Sequence, residues 1–529
     1  MSLKLLTNGR FYTPQSNSAP PAAMLISGDS ILALGSGDEL KAAAPADTEI
    51  FDLGGRTVWP GLTDAHLHLK MYAEFLTQVD CETPTLEECL SRVSARAAST
   101  PAGEWILGHG WNQNVWPGGF GNARHLDGVS EAHPIYLTDK ALHSGWANSL
   151  ALRLAGVDRN TPDPPGGKIQ RDDQGNPTGL FFENAVRLIE KVIPPIEGLQ
   201  LQAALLSAQQ ALLHFGVTCV HDFDGRECFF ALETLHAEQK LKLRVCKGIR
   251  REDLEAALNL GVQTGFGDDQ LWIGAVKCFA DGALGPQTAA MLMPYEGTQE
   301  SGTLLMTADD VFEVGMQAVT HGLSLAVHAI GDAATHEVLN GFGMLRAFEK
   351  RRHLPVLNHR IEHLQLLHPD DLHKPRQLGI TASMQPQHAT SDMLMADRYW
   401  GARTRYAYLY NSMIKTGARV IFGSDAPVES PNPFLGLHAA VTRRRVDGSP
   451  SSEGWYPSER VHLDQALKAY TTNPAEVSGK TGKLGILSSG AKADLILLDQ
   501  DPFSIAPSDL ANLQLSGVMA GGRWIFGQN

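Results

Sequence analysis

The stretch Pro60–Leu69, PGLTDAHLHL, ends an apolar run with two histidines two residues apart. In a strand, positions i and i+2 face the same side, so His66 and His68 would converge on one point. The spacing alone decides little. With 20 histidines in 529 residues, chance supplies roughly one His-x-His pair. What gives the pair meaning is the repetition of strand-like runs downstream and the residues that end them.

Seven further apolar runs alternate with helical stretches: 216–223 (GVTCVHDF), 242–249 (KLRVCKGI), 273–282 (IGAVKCFADG), 323–331 (LSLAVHAIG), 359–367 (HRIEHLQLL), 379–387 (GITASMQPQ) and 419–427 (RVIFGSDAP). Between them, 199–216 and 307–322 read as helices. Thr307 followed by Asp309 and Asp310 marks a helix start and Gly322 a stop. Eight strands alternating with helices predict an α/β fold, a (β/α)8 TIM barrel. Residues 1–58 and 485–529 have a different texture, short alternating strands separated by Gly and Asp turns, and are expected to pair into a small β-sandwich. The barrel then spans 59–484. Residues 80–200 interrupt it after the first strand, where a lid or specificity element would begin at the C-terminal mouth.

Composition excludes several classes of function. Hydrophobic residues make up 43% and charged residues 19%, the balance of a globular protein with ample core material. A net charge of −14 argues against nucleic acid or an anionic membrane as partner. The basic group TRRRVDG, 442–448, reads as a solvated helix end. Six scattered cysteines without a C-x-x-C pair, no signal-peptide core and no 18-residue apolar run suit a reducing cytoplasm and exclude a membrane span. A small-molecule substrate is the remaining expectation, with homo-oligomerisation left open.

The ends of the expected strands carry the chemistry. Lys277 ends IGAVK, His328 ends LSLAVH, His363 ends RIEH and Asp425 ends VIFGSD. A single histidine at a strand end is an ordinary hydrogen-bonded residue, and GSDAP by itself is a helix cap. Six such groups on the rim where barrel enzymes place their chemistry instead suggest a cradle for a divalent metal such as Zn²⁺. Lys277 is the odd member. A buried lysine tends to become neutral, and a neutral amine takes up CO2 as a carbamate able to bridge two metals. The alternative is a lysine paired with Asp281 or with the substrate. His221, Asp222 and Asp281 read as orienting or structural groups, and Asp64 has no assigned role. Trp111, Asn112, His143 and Trp146 of the insertion, with Gln385 at the seventh strand end, are candidate substrate contacts. For the tryptophans, packing of the insertion is the competing expectation.

The motifs PGLTDAHLHL, VKCFADGALG, LAVHAIGDAA, RIEHLQ and FGSDAPV, in this order, resemble those of the amidohydrolase superfamily, in its YtcJ-like branch (the amidohydrolase 3 family). GWANSLAL, GGKIQRDDQGNPTGL and GAKADLILLD extend the resemblance over nearly the whole chain. It implies a barrel with a terminal β-sandwich, His66 and His68 on one metal, and His328 and His363 on a second. It also implies carboxylated Lys277 between the metals, with Asp425 as ligand of the first and as general base. The implied activity is hydrolysis of a non-peptide C–N bond, of amide, N-acyl or N-formyl type. A mononuclear deaminase, and a non-catalytic regulator that keeps the fold, are the alternatives.

Overall fold

The computed structural model describes residues 3–12, 21–113, 115–139 and 144–527. The chain divides into two compact units, Tyr72–Ala204 and the remainder, Met1–Met71 with Leu205–Asn529. No helix of the described residues is long and apolar enough to cross a membrane.

The larger unit is built on eight strands: β1 (Leu62–Leu67), β2 (Val217–Asp222), β3 (Arg244–Arg250), β4 (Leu271–Phe279), β5 (Leu325–Ala329), β6 (Arg360–His363), β7 (Thr381–Met384) and β8 (Val420–Phe422). They lie in sequence order, each parallel to the next. Each coincides with one of the eight apolar runs. The reason is visible in their burial: strands covered on both faces need continuous rather than alternating hydrophobicity, and every residue of β1, β2, β5, β6, β7 and β8 is buried.

The barrel is nearly closed where β8 returns to β1. Asp425 N donates to His66 O (2.7 Å) and His68 N to Ala426 O (2.9 Å). Asp64 completes the seam, accepting from Ser424 N (3.0 Å) and Ser424 Oγ (2.5 Å). Gly423 allows this approach, since a Cβ there would stand 2.5 Å from His66 N. The sequence left Asp64 without a role, and the structure makes it the clasp of the seam.

The helix expected from Thr307 runs over Ala308–Thr320. Thr307 Oγ1 accepts from Asp310 N and the Asp310 carboxylate accepts from Thr307 N, a reciprocal cap. Gly322, in the left-handed region at φ 78°, follows its end. Strands from the two chain ends share one five-stranded sheet, in which Thr57–Pro60 pairs antiparallel with Leu495–Leu498. A four-stranded sheet, Leu3–Thr7, Ala23–Ser27, Ser30–Gly35 and Glu49–Asp52, shares its apolar core through Leu6, Met24, Phe11, Val58, Leu495 and Met519.

Tyr72–Ala204 contains the expected insertion and has its own six-stranded sheet. Its core gathers Trp111, Trp116, Trp146, Leu126 and Leu137. One expectation is overturned in the larger unit. The helix Pro433–Thr442 does end at the basic group, but Arg443 is buried, not solvated. Its guanidinium lies 5.1 Å from the ring centres of both Tyr410 and Trp455, and its Nε donates to Trp455 O. Stacking between aromatic faces compensates the lost hydration.

Candidate metal centre and catalytic cavity

Five of the six expected ligands lie on or next to β1, β4, β5 and β6, and Asp425 follows β8 by three residues. His66, His363 and Asp425 offer ligand atoms that all lie within 4.8 Å of one another. Asp425 Oδ1 is 3.3 Å from His66 Nε2 and 3.5 Å from His68 Nε2. The His328 and His363 rings are 4.5 Å apart, centre to centre. His68, Lys277, His328, His363 and Asp425 line one cavity of about 330 Å³, with Phe279, Leu284 and Met395 among its apolar walls.

The imidazoles are oriented by partners behind them. His66 Nδ1 is 2.6 Å from Glu362 Oε2, His68 Nδ1 is 3.2 Å from Asp224 Oδ1, and His363 Nδ1 is 2.9 Å from Gln385 Oε1. All three acceptors hold the proton on Nδ1, so the Nε2 lone pairs face the centre. His328 is turned the other way, its Nε2 donating to Gly282 O at 2.9 Å, which leaves Nδ1 as the lone pair. Glu362 is itself braced by the buried Arg360, whose Nε and Nη2 both donate to it. Glu362, Arg360 and Asp224 did not emerge from the strand-end reading. The available signal was adjacency, Glu362 beside His363 in RIEH and Asp224 two residues after Asp222 in HDFD.

Burial raises the Asp425 carboxyl, but the neighbouring His66, His363 and His388 override it and hold it well below the usual carboxylate range. It is therefore ionised at neutral pH. Burial brings Lys277 down to about 8 against the opposing charges of Glu362 and Asp425. Its Nζ has no hydrogen-bond partner and lies 5.0 and 4.8 Å from the ring centres of Phe223 and Phe279. Burial, then Lys277, pushes His328 down to about 3, keeping it neutral. His363 (φ 72°) and Asp425 (φ 60°) occupy the left-handed region, at about 1–3 kcal/mol each. Strain of this kind persists where the surrounding structure over-determines a functional geometry.

Asp281 does not pair with Lys277. Its carboxylate accepts from Ala290, Ile330 and Gly331 N–H groups, a structural role. His221 accepts from Arg360 and Asp222 holds Lys247 at 3.0 Å, so both orient the framework. Gln385, expected at the substrate, is buried and spends its amide oxygen on His363. Trp111 and Trp146 pack in the core of their own unit, with the Trp111 indole donating to Leu137 O. Asn112 belongs to the same unit, and His143 lies outside the described residues.

The model of the Amidohydrolase family matches residues 49–526. The chain belongs to that family. It is 30% identical to YtcJ of Bacillus subtilis, named an amidohydrolase, over 99% of each chain. It is 28% identical to the N-substituted formamide deformylase of Arthrobacter pascens, over 97% of this chain and 96% of that one. The crystal structure of a metal-dependent hydrolase from Pyrococcus furiosus superposes with a TM-score of 0.79 at 30% identity, covering 95% of this chain and all of the other. The protein is thus a hydrolase of a metal-dependent family, and its donor set fits a metal. His66 Nε2, 3.3 Å from Asp425 Oδ1, and Nζ of the cavity-lining Lys277 are buried polar atoms without hydrogen-bond partners.

Proposed function

We propose that the protein hydrolyses a non-peptide C–N bond of amide, N-acyl or N-formyl type. His66, His68 and Asp425 would hold one divalent ion, zinc being the best match to these donors, and His328 and His363 a second. Lys277, whose ammonium is destabilised by burial, would bridge them as its carbamate. Such ions lower the pKa of a water and polarise a carbonyl.

The remaining chemistry falls to the chain. Ionised Asp425 takes a proton from the water that attacks the carbonyl carbon. When the C–N bond breaks, Asp425 returns that proton to the leaving nitrogen. Phe279, Leu284 and Met395 offer apolar surface to the group flanking the scissile bond. The observation that carries this reading is the common orientation of His66, His68 and His363, each braced through Nδ1 with Nε2 turned inward. The deformylase relative supports the bond type. The terminal strands, on this reading, form a β-sandwich beside the barrel.

The test is a panel of N-formyl, N-acyl, carbamate and ester compounds with metal-reconstituted protein. Asp425→Asn should lower turnover by about 10²–10⁴-fold while metal content stays largely intact. Near-normal turnover in that variant would remove Asp425 as the base. The tight grouping of His66, His363 and Asp425 favours, as a second reading, a one-metal deaminase. Two metals per chain would exclude it.

A further inference from the structure

We propose that His388 is a further catalytic residue, donating a hydrogen bond from Nε2 to the oxygen of the scissile carbonyl. The proposal rests on the amide-hydrolysis reading above. His388 lies in the first turn of the helix Pro386–Trp400, is 6% exposed, and lines the cavity that holds the expected ligands. Its Nε2 is buried and has no hydrogen-bond partner. A buried donor left unmade is costly, and such a group is kept where a ligand completes it.

Three features point this donor at a carbonyl oxygen. Gln365 Nε2 donates to His388 Nδ1 at 3.3 Å, which places the imidazole proton on Nε2. The two oxygens of Asp425 are divided. Oδ1 faces His66 and His68, while Oδ2 faces His388 Nε2 at 3.9 Å, too far for a direct hydrogen bond. Base and donor therefore border the same cavity. Finally, His388 sits at the N-terminus of a 15-residue helix, where the peptide dipoles favour developing negative charge over a developing ammonium. The carbonyl oxygen becomes negative during attack, and the leaving nitrogen does not.

In the step, water oxygen bonds to the carbonyl carbon and the π electrons move onto the carbonyl oxygen. His388 Nε2–H hydrogen-bonds that oxygen without giving up its proton. Collapse re-forms the C=O and breaks C–N, with the proton held by Asp425 passing to nitrogen. Gln365 acts through His388 and is a positioning residue.

The experiment uses the full-length, metal-loaded chain with His388→Ala and His388→Gln, the latter keeping an amide donor at a similar reach. On whichever amide the wild type cleaves, His388→Ala should lower kcat about 10²-fold with KM changing much less, as for loss of one oxyanion donor. His388→Gln should recover part of that loss. Methylphosphonate, a tetrahedral anion, should bind His388→Ala about tenfold or more weakly than wild type in calorimetry. Unchanged kcat and unchanged methylphosphonate affinity would overturn the proposal, as would loss of metal in both variants, which would make His388 a ligand. If the wild type cleaves no amide, the proposed function fails by itself. The methylphosphonate comparison then still decides whether His388 is a donor into this space.

Discussion

Replacing Glu362 with Gln tests the brace behind the centre. Glu362 is fully buried, accepts from His66 Nδ1 at 2.6 Å and takes both Nε and Nη2 of Arg360, which is 3% exposed. Burial opposes its ionisation, yet Arg360 and then His66 hold it well below the usual carboxylate range. The amide keeps the volume but removes the charge and one acceptor. It then cannot receive the Arg360 fork and the His66 proton together. Two consequences separate cleanly. Removing one partner of a buried ion pair costs about 3–5 kcal/mol, which should lower the thermal midpoint of the metal-free protein. Loss of the His66 orienting bond should weaken metal affinity about 10–100-fold, measured by competition with a chromophoric chelator. A variant that unfolds at the wild-type temperature and binds metal equally well would refute the brace. One that loses stability but keeps its metal affinity would confine Glu362 to the framework.

Two further outcomes are expected. Burial works against Asp269, but Lys480 and Lys492 hold it below its ordinary value. A depressed carboxyl stabilises the folded state above its unfolded pKa, and that contribution fades as pH falls through the folded one. Asp269→Asn should therefore lower the thermal midpoint near neutrality and flatten its fall below about pH 4, the difference shrinking in high salt because the site is partly exposed. An unchanged acid limb in a midpoint-against-pH series would exclude this network as a source of acid lability. For Lys277, intact-mass measurement near neutrality should show an adduct of one CO2 that disappears on acidification and in Lys277→Ala. Its absence from fully metal-loaded protein would exclude the carbamate.

The strand-end residues were legible in the sequence because the signal there is local. A barrel strand buried on both faces must be a short apolar run, and a polar side chain closing such a run at the C-terminal end faces the mouth. His66, His68, Lys277, His328, His363 and Asp425 follow from that rule, and the structure places them all in the larger unit. The same locality explains the helix begun by Thr307. It also explains where the reading stopped short. Arg443 sits in a run of arginines that composition assigns to solvent, yet the rings of Tyr410 and Trp455 receive it. Trp111 and Trp146 gave no local cue to distinguish a cavity wall from a core, and the packing of their own unit decided for the core.

Neighbours along the chain were thus enough to mark the barrel strands and the polar residues that close them. The groups that brace those residues come from far along the chain. His66 and Glu362 are 296 residues apart, Asp64 and Ser424 are 360 apart, and neither pair exists until the last strand returns to the first. His388 is the same case: an ordinary helix residue by its neighbours, it becomes a buried donor facing Asp425 only because β7 and β8 deliver both to one rim. Hydrophobic periodicity is a property of neighbours along the chain. Proton positions, ring orientations and pKa shifts belong to neighbours in space, and closing the barrel creates them.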